Sequence, residues 1–357
     1  MAFRNSIKAF ILFFFSLIII YACRPNENEP DFDKSSLLKN ISSEIILPSF
    51  NEFEESMNDL LLSFNTFSNE LTYENLEAVR GNFSTTYVNW QYLKIYDFGP
   101  IKNYGLKSSI GSFPSDTAVI CSNIQNGYFN LSALENSQAI GLSALDFLLY
   151  QENSIEYFQT DTNYLNYTYE VIIKIKNDFD LVQNEWTSYV STFNNATGTS
   201  STSSFSELIN SYCQDLELAK NAKLGIPIGK QSLGIPLPEY IEAKYSGFSL
   251  ELLESNIEAL HQIYNGLGRT NNANGIGLDD YLIQLDKIDL NENIDATFES
   301  ISSKIQTLEN SLEEEILVNP QALDEIYFQL QELVILIKTD MTSSFGVLIT
   351  YQDNDGD

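Results

Sequence analysis

The chain has 357 residues, 43% hydrophobic and 13% aromatic, enough to bury a large core and, on length alone, to form about two domains. Lys and Arg number 19 against 49 Asp and Glu, a formal charge of −30, so a polyanion such as nucleic acid is repelled rather than steered in. Three cysteines in a chain of this size do not make a disulfide framework.

Residues 1–22 carry Arg4 and Lys8 and then an apolar run from Ala9 to Ala22, the pattern of an export signal. At about 14 residues the run is shorter than the roughly 20 that a spanning helix needs. It closes on "IYAC", where the tripeptide before Cys23 resembles a bacterial lipoprotein signal, with Tyr21 bulkier than the small residue usual there. The expectation is lipidation at Cys23, a polar tether over 23–35, and a body held outside the cytoplasm, on the outer membrane or the periplasmic face. A retained signal-anchor helix would leave the same body outside. Losing Arg4 and Lys8 takes the 19 cations to 17 with all 49 anions kept, a net charge of −32.

Helical spacing dominates the rest. Leu38, Ile41 and Ile45, then Phe50, Phe53, Met57, Leu60, Phe64 and Phe67, recur every three or four residues and predict one helix with a break near Pro48. Leu76, Val79, Phe83, Tyr87, Trp90 and Leu93 predict a second that stops before "DFGP". Tyr167, Val171, Ile175, Phe179, Val182, Trp186, Tyr189 and Phe193 predict a long third, ended by the small, polar "NNATGTSSTSS" at 194–204. That segment marks the expected boundary between helical domains over 36–195 and 205–357. Further helical patterns begin near Ser206, Ser249 and Ile294, and "NPQALDEI" puts Asn319 at an N-cap with Pro320 first in the helix. Sustained strand alternation is missing, so the fold class is all-α. The stretches 99–116, 224–240 and 266–277 read as irregular loops and as candidate site walls.

The chemical inventory is narrow. His261 is the only histidine, so a zinc site built from two or three imidazoles is excluded. "EALH", Glu258 to His261, is half of a di-iron pattern that a bundle needs twice, and His261 lies at the edge of an apolar stripe, as a packing residue would. Serine or cysteine nucleophiles would have to share that one histidine as base, and no Gly-x-Ser-x-Gly motif supports them. Oxygen ligation of a hard cation stays open: "DNDGD" at 353–357 has the look of a calcium loop without its closing glutamate, making Asp353 and Asp355 candidate ligands beside Asp146.

Asp146 belongs to "GLSALDFLLY", 141–150, where Ser143 and Asp146 share one helix face while Leu142, Leu145 and Leu149 supply a core face. This segment, with "NWQYLKIYDFGP" (89–100), "KLGIPIGKQSLGIPLPEYIEAKYSGFSLELLESNIEAL" (223–260) and "IKTDMTSSFGVLITYQDNDGD" (337–357), resembles the imelysin-like family of bacterial extracytoplasmic proteins. That family is named for an insulin-cleaving peptidase and includes iron-regulated members. The resemblance implies an all-helical fold of two bundle-like domains with a site near their junction. Laid on the family's Gly-x-His-x-x-Glu motif, Gly141 keeps the glycine while Ser143 and Asp146 replace the histidine and glutamate. Glu242, Tyr245 and Ser246 in "EAKYSG", and Asp340 in "KTDM", fall on the family's polar pattern and are expected either to line the same cleft or to cap and hold a loop.

The substitutions favour a non-enzymatic, lipid-anchored binding protein over an imelysin-type metallopeptidase, since serine is a poor metal ligand and no second imidazole exists to replace the lost one. The expected occupant is a cation such as calcium or iron, a cation complex, or another small ligand such as a glycan. An uptake system is the expected partner class, besides the membrane itself. A surface interaction protein with a vestigial cleft is the further alternative.

Overall fold

The computed structural model describes residues 32–351. The export signal, Cys23, most of the tether, Asp353 and Asp355 lie outside the described residues.

The first apolar series forms α1 (Lys34–Asn40), a π-helical turn (Ile41–Ile46) and α2 (Leu47–Asn69) as one continuous rod. Pro48 does not break it. The proline occupies the first turn of α2, where a missing N–H costs little, and the wider turn before it absorbs its ring. After a short connection, α3 (Tyr73–Leu93) folds back on α2, its start capped by Thr72 Oγ1, which accepts from Asn75 N at 3.3 Å.

The stretch 99–116, expected to be irregular, contains two short helices, α4 (Gly99–Asn103) and α5 (Leu106–Gly111). α6 (Thr117–Asn126), α7 (Gly141–Tyr150) and α8 (Ser154–Thr160) follow, and then the 34-residue α9 (Thr162–Asn195) runs along α2 and α7. The inner stripe of α9 meets α2 and α3 in an aromatic core: Phe179 lies 4.9 Å from Phe53, whose ring is 5.6 Å from Trp90. Each such ring, fully withdrawn from water, contributes on the order of 2–3 kcal/mol.

Residues 196–203 lead into α10 (Ser204–Leu218), which continues as a π-helical turn over Ala219–Gly225. α11 (Ser249–Tyr264), α12 (Leu278–Gln284), α13 (Ile288–Ile305), α14 (Leu312–Val318), α15 (Pro320–Val334) and α16 (Thr342–Phe345) complete the order, a third π-helical turn at Ile335–Met341 joining the last two. α15 begins at Pro320 as its sequence predicts, although the Asn319 side chain makes no capping bond.

The fold is all-α, with no strand among the described residues beyond a single bridge pairing Leu267 and Asn274. One helical body gathers around α2, α3 and α9, and another around α11, α13 and α15. They meet where α11 lies on α3, and the described residues from Lys34 onward form one unit. None of the described helices is long and apolar enough to cross a membrane.

Candidate functional site

α7 carries the "GLSALD" segment, and its glycine has a steric reason. Gly141 has φ +81°, and a Cβ there would stand 2.5 Å from the carbonyl oxygen of Ile110 at the end of α5. Only glycine permits both the left-handed backbone and that approach. From this start α7 runs buried along most of its length, and at its far end the Arg80 guanidinium donates to Leu149 O at 2.7 and 3.0 Å, matching a cation to the helix C-terminus.

Ser143 and Asp146 share one face of α7, as the three-residue spacing implies, and both are already engaged by protein. Ser143 Oγ accepts from Ser115 N at 3.1 Å, and Ser115 Oγ donates to Ser143 O at 3.2 Å, clasping the segment after α5 to α7. Asp146 is 1% exposed; its Oδ2 accepts from Tyr245 N at 2.9 Å and its Oδ1 from Ser246 N at 3.0 Å. The loop so pinned needs left-handed backbone at Ala243 (φ +49°) and Gly247 (φ +79°), and two charge-assisted bonds hold it. Burial pushes the Asp146 carboxyl up to about 6, against the pull of the Ser246 and Tyr245 donors; the charge of Glu242 adds to the rise.

Pro114, Ser115, Thr117, Ser143, Asp146, Glu239, Tyr240, Ile241, Lys244 and Tyr245 line a cleft of about 290 Å³. Ser143, Asp146 and Tyr245 are thus brought together, with Ser246 presenting its backbone, while Gly141 lies outside this lining against the end of α5. Tyr245 stacks edge-on against Phe147 at 5.1 Å and remains 41% exposed. Glu242 sits behind this wall: buried, it pairs with the Lys223 ammonium and accepts from Gln91 Nε2 at 3.4 Å. Asp340 stays apart, exposed on the last π-helical turn and outside this cleft lining.

Of the three expected walls, 99–116 contributes Pro114 and Ser115, and 224–240 contributes Glu239 and Tyr240. The 266–277 loop does not reach the cleft. It lies against the first body instead, where the Arg269 guanidinium covers the Tyr92 ring at 3.4 Å and pairs with Glu52 at 2.7 Å. His261 packs as its position on the stripe predicts, stacked on Phe298 at 4.7 Å and bonded to Asp295 at 2.6 Å. Among the described residues, no group of three or more His, Cys, Asp or Glu side chains is placed to hold a metal ion.

Sequence reasoning passes over the charged centre behind the cleft. Lys94 Nζ donates to Asp215 Oδ1 and Oδ2 at 2.7 and 2.8 Å and to Asn256 Oδ1 at 3.0 Å, and Lys107 reaches Asp215 Oδ1 at 3.3 Å. Burial lowers the Lys94 ammonium to about 8 despite Asp215, with Lys223 and Lys107 lowering it further. Burial also opposes ionisation of Asp215, yet Lys94 and Lys107 outweigh it and hold that carboxyl well below the usual range. The signal available in sequence is a rare lysine inside the aromatic run "WQYLKIY".

Together these features define an all-helical protein of two bodies, with a cleft at the motif helix whose two polar motif side chains serve as clasps. The model of the family described as Imelysin matches residues 46–337, and the chain belongs to that family. Its fold is similar to that of an iron-regulated protein A precursor from Parabacteroides distasonis ATCC 8503, at 15% identity and a TM-score of 0.76, covering 90% of this chain and 97% of that one. It is also similar to an imelysin-like protein from Psychrobacter arcticum 273-4, at 13% identity and a TM-score of 0.73, covering 89% and 97%. No curated protein matches the chain.

Proposed function

We propose that this imelysin-family chain is a lipid-anchored, extracytoplasmic binding protein that does not cleave peptides and holds a small polar ligand in the cleft beside α7. The observation that carries the reading is the engagement of Asp146: both of its oxygens receive backbone N–H groups, so the residue at the motif's glutamate position builds the cleft wall instead of acting on a substrate. Ser143, at the histidine position, is spent in the same way on Ser115. Hydrolysis at a metal needs ligands that hold the ion and leave a water position open, and the described residues bring no such donor group together.

What the cleft offers a ligand is the exposed ring faces of Tyr240 and Tyr245, the Glu239 carboxylate and the Lys244 ammonium. That set suits a small molecule with a ring-sized face and hydroxyl or cationic groups, such as a glycan unit or a chelated cation, better than a bare ion. The name of the Parabacteroides protein speaks of regulation by iron and is reason enough to include iron in the ligand panel.

The test is calorimetric titration of the purified mature chain with ferric and calcium ions, their citrate chelates and a panel of neutral oligosaccharides. Saturable one-site binding is expected for at least one chelate or sugar. Loss of one ring contact in Tyr240→Ala should weaken it about tenfold. Chelator-sensitive cleavage of a protein substrate that disappears in Asp146→Asn would overturn the reading and restore the peptidase, and a panel without any binder would leave a vestigial cleft.

A further inference from the structure

A second cavity, of about 330 Å³, is lined largely from α3, α5, α10 and the segments that follow them, and shares no lining residue with the cleft. Three of its walls carry lysines: Lys94 just past α3, Lys107 on α5 and Lys223 on the π-helical turn after α10. Three ammonium groups converging on one enclosure is costly in a chain with only 19 basic residues and a charge of −30, because each must be stripped of water beside the other two.

The donor count shows what the enclosure lacks. An ammonium has three protons to donate. Lys94 places all three, on the two oxygens of Asp215 and on Asn256. Lys107 has one described partner, Asp215 Oδ1 at 3.3 Å, and Lys223 has one, Glu242. Two donors on each of these ammonium groups are therefore left without a described partner, on side chains that are 19% and 3% exposed. Asp215 serves two lysines at once, so three ammonium groups share two paired carboxylates, and Asp97 in the lining brings the formal count to three of each sign. Asp97, the remaining carboxylate in the lining, stands where this cavity borders the one next to Lys102. Trp90, Phe113 and Leu218 give the wall an apolar part, beside the polar Ser108, Ser112 and Gln214.

We propose that this cavity is a binding site for a small organic carboxylate, whose oxygens accept from Lys107 and Lys223 and whose hydrocarbon part lies against Trp90 and Phe113. A carboxylate uses the leftover donors, and the aromatic wall gives a carbon skeleton somewhere to sit. An inorganic oxyanion would satisfy the lysines and leave that wall unused.

The experiment is calorimetric titration of the mature chain with acetate, succinate and citrate, with inorganic phosphate and sulfate as the competing arm. A carboxylate is expected to bind at one site with Kd below about 1 mM, tighter than either inorganic anion. Lys107→Met keeps the aliphatic stem and removes the charge, and should weaken binding at least about tenfold, while Lys107→Arg should retain it. Asp97→Asn should tighten binding, because it removes a like charge from the wall. Far-UV circular dichroism of each variant checks the fold. No binding by any carboxylate, phosphate binding more tightly than every carboxylate, or unchanged affinity in a folded Lys107→Met would each overturn the assignment. Because Tyr240 lines only the cleft and Lys107 only this cavity, Tyr240→Ala should leave carboxylate binding intact, and the two sites stand or fall separately.

Discussion

Replacing Asp146 by Asn removes a buried charge while keeping the shape of the side chain, and its consequence is best read as a function of pH. The folded-state carboxyl is raised to about 6 from an ordinary value of 3.8, chiefly by burial. A raised carboxyl binds its proton more tightly in the folded chain, so its stabilising contribution is fully present below about 3.8 and is lost as pH rises through about 6. Between pH 5 and 7.5 the folded state gives up about nine-tenths of one proton while the unfolded state is ionised throughout. One proton over about one pH unit is worth roughly 1.4 kcal/mol. Asn does not titrate, so the variant should gain about 1.4 kcal/mol on the parent across that interval, whatever their difference at a single pH, which mixes relieved charge with one lost acceptor for Tyr245 or Ser246. Urea denaturation of both proteins at four or five pH values gives the comparison, and every other titrating group cancels in it. Two stability curves that run parallel from pH 5 to 7.5 would refute the reasoning, since they would mean that Asp146 ionises as an exposed aspartate does.

Two further outcomes are expected. Asp215→Ala strands Lys94 among buried groups and leaves Lys107 without its one described partner, so unfolding free energy should fall by about 3–5 kcal/mol in urea denaturation; a loss below about 1 kcal/mol would mean that the lysines find water instead. Cys23→Ala should abolish lipid attachment of the expressed protein, because acylation requires that thiol, and fatty-acid labelling that persists in the variant would remove the anchor from the proposal.

The sequence by itself determined the helices. A period of three to four places Phe50, Phe53, Phe179 and Trp186 on one side of their helices regardless of what lies opposite, and withdrawal of that side from water is enough to make the fold all-α. It also determined the resemblance on which the family rests, and the glycine at 141. Where local rules compete, legibility ends: Pro48 reads as a break yet is absorbed by a wider turn, and 99–116 reads as loop because two helices of five and six residues are too short to show a period. The site was legible only in part. Ser143 and Asp146 share a face by spacing, but that Asp146 receives the backbone of residues 245 and 246, that Glu242 turns inward to Lys223, and that Asp340 points elsewhere are matters of what packs opposite. The same holds for Lys94 and Asp215, 121 positions apart. Helical period is a property of neighbours in the chain, whereas the partner of a buried charge is chosen by how helices distant in sequence pack together, and only the tertiary structure decides that.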